Sequence, residues 1–175
     1  MSDWPRRIYV VLSLGVLSFA FAPILVRWAG NVPGLAIAVW RTVTAAAVLI
    51  PVAAARTAPE LRRLTRRDVM LTGAAGVFLG LHFIAWIESL YHTTVASASV
   101  LVTTSPIILA ALGYLFLGER LRRGTVLAIG IAVGGAGLIG WADAGTVALG
   151  QGALLGNTLA LSGALLVSVY LLIGR

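Results

Sequence analysis

The chain has 175 residues, 59% of them hydrophobic and 11% charged, with a mean hydropathy of +0.99. A soluble domain carries about 25% charged residues, so this composition excludes an ordinary water-soluble fold and points to a bilayer. The net charge of +7 does not signal nucleic acid, because the basic residues sit in short clusters between apolar stretches, and the absence of cysteine excludes disulfides, thiol catalysis and thiolate metal sites.

The N-terminal stretch "MSDWPRRIYVVLSLGVLSFAFAP" has the outline of a signal peptide: Arg6 and Arg7, an apolar core and a small-residue "AFA". The apolar run continues past Pro23 to Val26, however, and five further spans follow, which favours a first transmembrane helix. Apolar windows place six helices, at about Ile8–Trp28, Gly34–Ala55, Val69–Leu90, Val95–Leu117, Thr125–Trp141 and Gly150–Gly174. At ~1.5 Å per residue each is long enough to cross a ~30 Å hydrocarbon core, the fifth only barely. The runs are too long and continuous for barrel strands, and helices satisfy their own backbone polar groups in lipid. The fold class expected is therefore an all-α integral membrane protein.

All thirteen basic residues are arginines, and eleven lie on one side of an alternating six-span arrangement. These are Arg6 and Arg7, then Arg56, Arg62, Arg63, Arg66 and Arg67, then Arg120, Arg122 and Arg123, and finally Arg175. The opposite loops, "AGNVPG", "YHTT" and "ADAGTVALG", carry none. The positive-inside rule then puts the N-terminus in the cytoplasm and argues against dual insertion. Trp4, Trp28 and Trp141 fall near the expected interfaces, where an aromatic belt accounts for them.

Two arginines break the pattern. Arg27 sits at the outer end of the first span, and Arg41 stands about seven residues into the second, ~10 Å below the outer surface. Glu88 lies near the outer end of the third span, so Arg41 and Glu88 are expected to pair, directly or through water. The alternatives are a functional pair and a fixed one that only locks two helices. His82 lies near the middle of the third span and shares a face with Trp86, four residues on. A mid-membrane imidazole can bind a substrate group or take a proton, or it can simply hydrogen-bond a neighbouring helix. Glu88 and His92 are also four apart, on another face. Proton coupling through His82 or Glu88 is open on these grounds.

In the fourth span, "VLVTTSPIILA", Pro106 cannot bond the Val102 carbonyl, so a kink is expected, with Thr103, Thr104 and Ser105 helping to satisfy the freed backbone. Small residues recur four apart at Gly76 and Gly80, Gly130 and Gly134, and Gly152 and Gly156, spacing that lets helices approach closely. No HExxH or GxSxG motif is present. No nucleophile–base or metal set is seen, so neither an enzyme, a metal site nor a cofactor is expected.

The segment from His82 to Ile139 resembles the EamA family of the drug/metabolite transporter superfamily. The resemblance rests on "SL" followed by "TTVASAS", the mid-span "SPI", the "LGER" at a helix end and the glycine-rich span after it. "AVWRTVTAAAVLIP" resembles that family's second helix with its arginine, and together the similar stretches cover roughly residues 8–142. The resemblance implies a ten-helix inner-membrane carrier of two five-helix repeats in inverted orientation, with the substrate cavity between them. On that reading residues 1–142 are the first repeat and 150–175 the first helix of a second, truncated one. It further implies a small-molecule substrate such as an amino acid, with Arg41, His82 and Trp86, and Trp40 beside Arg41, as pathway residues. The rest of the second repeat is then expected from a missing C-terminal half or another protomer, the chain being a fragment. The rival expectation is a helical module that does not transport and only assembles with a partner chain.

Overall fold

The computed structural model describes residues 6–61, 63–144 and 150–175. It is helical throughout, with no strand among the described residues. The helices are α1 (Arg6–Trp28), α2 (Gly34–Leu61), α3 (Arg66–His92), α4 (Val95–Val102), α5 (Ser105–Leu117), α6 (Arg123–Ala144) and α7 (Gly150–Ile173). Five stretches are long and apolar enough to cross a membrane: Ile8–Trp28, Gly34–Ala54, Arg66–His92, Val95–Leu117 and Gly152–Ile173. A shorter apolar stretch in α6, Arg123–Ile139, corresponds to the marginal fifth span of the sequence. Trp4 lies outside the described residues.

The turns have clear local causes. Thr65 caps α3: its hydroxyl accepts from the Asp68 N–H at 3.2 Å, and Asp68 Oδ2 accepts from the Thr65 N–H at 2.9 Å, a reciprocal capping box. At the other end of α3 the chain reverses in two residues. The Thr93 N–H donates to Ser89 O at 3.0 Å, and Thr94 Oγ1 accepts from the Ser97 N–H at 3.0 Å to start α4. Gly118 ends α5 with φ +68°, the left-handed conformation a Cβ would disfavour. The bundle thus has an arginine-rich end, with the turns at 63–65 and 118–122 and Arg175, and an opposite end with the turns at 29–33 and 93–94.

The fourth span is broken rather than kinked, which corrects the expectation for Pro106. α4 stops at Val102, the chain passes through Thr103 and Thr104 at φ, ψ of −73°, −1° and −73°, −7°, and α5 begins with Pro106 in its first turn. Proline lacks the N–H that would continue the ladder but suits a new helix start. The two threonine hydroxyls accentuate the break: Thr103 Oγ1 donates to Val100 O at 2.8 Å and Thr104 Oγ1 to Leu101 O at 2.7 Å.

α7 is the central packing element. It lies along α3 and also touches α4, α5 and α6, while α1 and α2 pack on α3 from outside. The core gathers Trp86, Ile87 and Leu90 of α3, Ala98 and Leu101 of α4 and Ala160 of α7, all buried. Of the three glycine pairs read in the sequence, only the one in α7 sits at a close helix approach. A Cβ on Gly156 would lie 2.7 Å from the backbone nitrogen of Thr93, whereas Gly76, Gly80, Gly130 and Gly134 face open space. The outward faces of α1 and α2 expose Val11, Val16 and Ile50, the composition a lipid contact requires.

Candidate substrate site

His82 and Trp86 share the face of α3 turned toward α7. Both are buried, with 9% and 2% of their surface exposed. His82 Nδ1 lies 2.8 Å from the carbonyl oxygen of Gly163. A carbonyl only accepts, so Nδ1 carries the hydrogen, and Nε2 is left as the acceptor of the neutral ring. Gly163 lies close to both residues: a Cβ there would stand at van der Waals distance, 3.5 Å from Trp86 and 3.6 Å from His82 Nδ1. The neighbouring-helix hydrogen bond considered for His82 is therefore present, and its partner is main chain.

The Trp86 indole stacks on Phe19 of α1, with centroids 6.3 Å apart and planes 6° from parallel. Its Nε1–H is buried and has no hydrogen-bond partner among the described residues. An unpaired buried donor costs about 1–3 kcal/mol, so this N–H is poised for an acceptor that arrives from elsewhere. Both side chains line a cavity of about 160 Å³ together with Phe19, Phe83, Thr103 and Ser105. The break between α4 and α5 thus forms part of the cavity wall, and residues of α1, α3, α5 and α7 meet around it.

Arg41 does not pair with Glu88. Its guanidinium lies over the Phe83 ring, 4.3 Å from the centroid, and 5.8 Å from that of Trp86. Glu88 is engaged elsewhere: Oε1 is 3.4 Å from His92 Nε2, and a Cβ on Gly34 would lie 2.5 Å from Oε2. The ion pair expected between neighbouring spans is replaced by a cation–π contact for the arginine and an i, i+4 contact for the glutamate. The reason is depth. Glu88 lies against Gly34 at the start of α2, and Arg41 stands seven residues further along that helix, about 10 Å deeper, beside Phe83. His92, read as a loop residue, ends α3 as the partner of Glu88. Trp40 is largely exposed and, with Arg41, lines a separate open groove of about 670 Å³ along α2.

Several polar contacts escaped the sequence reading. Arg27 Nη2 donates to the Thr93 carbonyl, tying α1 to the α3–α4 turn. Thr93 Oγ1 donates to Asn157 Oδ1 at 2.9 Å. Ser168 Oγ reaches Ser105 O at 2.9 Å, at the start of α5. Arg175 makes two hydrogen bonds to Glu119, at 2.6 and 2.8 Å. With His82 and Gly163 these bonds run the length of α7. Asn157 and Ser168 stand eleven residues apart, three helical turns, and that polar spacing within an apolar span is the signal that marks the α7 face turned inward.

The match to a known family is extensive. Residues 6–141 fit the model of the EamA-like transporter family, more than three quarters of the chain. The chain belongs to the EamA-like transporter family. Neither a curated protein nor a solved structure matches it. Members of the EamA family are membrane transporters of the drug/metabolite superfamily, so this is a multi-pass membrane protein of a transporter family. The family match spans every residue singled out on α1 to α5, including Arg41, His82, Trp86, Glu88 and Pro106, and stops short of α7.

Proposed function

We propose that the chain is a secondary transporter, or the N-terminal part of one, moving a small metabolite such as an amino acid or related compound by alternating access. Residues 1–142 form one five-helix repeat and 150–175 the first helix of an inverted second repeat, completed by further chain or another protomer. The membrane is the bacterial inner membrane, with the arginine-rich end cytoplasmic. His82 and Trp86 contact the solute, with Trp40 and Arg41 farther along its path.

The observation that carries this reading is the buried, unpaired Trp86 Nε1 beside His82 at a cavity walled by a broken span. Irregular backbone within a bilayer is tolerated only where it is buried in protein or lines a cavity, and interrupted helices recur at transporter binding sites. The Thr103–Thr104 break and the Ser105 carbonyl taken by Ser168 are such backbone.

The test is a growth screen of cells expressing the whole protein against toxic amino-acid and organic-acid analogues, followed by radiolabelled flux of the compound found. Expression raises or lowers tolerance to at least one analogue, and His82→Ala and Trp86→Ala each abolish the effect at normal membrane abundance. Wild-type flux in both variants removes these residues from the pathway.

A further inference from the structure

We propose that Arg41 selects the anionic end of the transported solute, so that the substrate class is a small amphipathic carboxylate. The inference rests on the transporter reading above and narrows its substrate. Arg41 has no carboxylate and no hydrogen-bond acceptor among the described residues. The described carboxylates nearby are accounted for: Glu88 contacts His92, while Asp68 and Glu119 lie at the arginine-rich end with Thr65 and Arg175. A charged side chain inside a span ordinarily finds a counter-charge or water.

The geometry says what kind of partner is missing. The guanidinium carbon stands over Phe83, 4.3 Å from the ring centroid, and the N–H edge has no acceptor among the described residues. That edge is a fork of donors matched to two oxygens of one carboxylate. Beside it, Ile37, Trp40, Thr44, Val48 and Leu49 line the 670 Å³ groove with almost wholly apolar surface. One cation in an apolar groove is complementary to a ligand with an apolar body and a single anionic group. The guanidinium offers donors and no acceptor, which favours an acceptor-rich anion over a neutral amide or alcohol.

A lipid phosphate is the competing source of an anion. Lipid headgroups sit at the interface, and an arginine serving one reaches up toward it. Arg41 instead lies across Phe83 toward Trp86, against the middle of the bundle. The occupant is therefore the solute.

The experiment is equilibrium binding of radiolabelled phenylacetate to the whole protein in phosphatidylcholine nanodiscs, with phenylacetamide as a competitor of the same shape and no charge. Wild type binds the acid, and the amide competes about tenfold or more weakly, as expected where charge-assisted hydrogen bonds are lost. Arg41→Gln loses the discrimination to within about twofold, and Arg41→Lys keeps part of it. Equal binding of acid and amide by wild type, or binding of neither, overturns the proposal without reference to any variant's folding. Displacement of phenylacetate by added phosphatidylglycerol, with no binding of other carboxylates, also overturns it by assigning the arginine to lipid. Flux separates this inference from the one beneath it. Equal binding of acid and amide, with flux still abolished by Trp86→Ala, sinks the anion preference and leaves the transport site standing.

Discussion

His82 Nδ1 and the carbonyl oxygen of Gly163 stand 2.8 Å apart across the interface of α3 and α7. The bond fixes which ring nitrogen carries hydrogen and joins the middle of α3 to the helix beyond the family match. Replacing His82 by leucine removes the donor but not bulk. Thermal unfolding in detergent should show a loss of about 0.6–1.5 kcal/mol, the range for one interhelical hydrogen bond. His82→Asn retains an N–H of similar reach and should recover part of that loss. Equal stability of all three proteins would show that the bond contributes nothing.

Glycine at 156 is required by contact, not by backbone conformation. A Cβ there would meet the nitrogen and Cβ of Thr93 at 2.7 Å and the carbonyl carbon of His92 at 2.8 Å, and main chain cannot step aside as a flexible side chain could. Gly156→Ala should cost about 1–3 kcal/mol, as overpacking does. Gly76→Ala, which meets nothing within 4 Å, should change stability by about 0.5 kcal/mol or less. Unfolding of the two variants side by side checks this, and equal losses would contradict the α3–α7 approach.

Arg41 and Glu88 should behave as independent sites. Alanine substitutions at the two positions should add to within about 0.5 kcal/mol in a double-mutant cycle. Arg41 and Phe83, in contact at 4.3 Å, should couple by about 0.5–2 kcal/mol. Coupling between Arg41 and Glu88 with none between Arg41 and Phe83 would restore the ion pair and remove the free guanidinium.

These contrasts show what periodicity and charge reveal and where they stop. Span positions followed from apolar run length, because lipid enforces both length and composition on a spanning helix. The shared face of His82 and Trp86 followed from their i, i+4 spacing. The partner of Arg41 did not, because placing both residues in the outer half of the membrane still left about two helical turns between them. Glu88 meets Gly34 at the start of α2, and Arg41 reaches Phe83 deeper in the bundle. Pro106 announced an interruption, but whether a proline kinks or restarts a helix depends on its neighbours. Here Thr103 and Thr104 turned their hydroxyls back onto the preceding carbonyls. The α7 partners stayed hidden because two of the acceptors, on Gly163 and Ser105, are backbone carbonyls, which every residue possesses.

Orientation is testable with single cysteines, since the natural chain has none. Asn31→Cys, in the turn between α1 and α2, should react with a membrane-impermeant maleimide on intact cells. Leu64→Cys, exposed before the α3 cap, should react only after permeabilisation. The reverse pattern would invert the topology.

The same cysteine-free background gives the most direct test of the central claim, that the cavity at His82 and Trp86 is a solute pathway. Thr103→Cys and Val167→Cys line that cavity, whereas Val16→Cys and Val133→Cys lie on outward faces, 67% and 65% exposed, where lipid would surround them. In the whole protein in membranes, a small charged methanethiosulfonate should modify the two cavity cysteines and spare the two outward ones. A solute found in the growth screen should slow the cavity reaction. Modification of Val16→Cys and Val133→Cys as fast as the cavity pair, or no reaction at Thr103→Cys and Val167→Cys, would contradict the account.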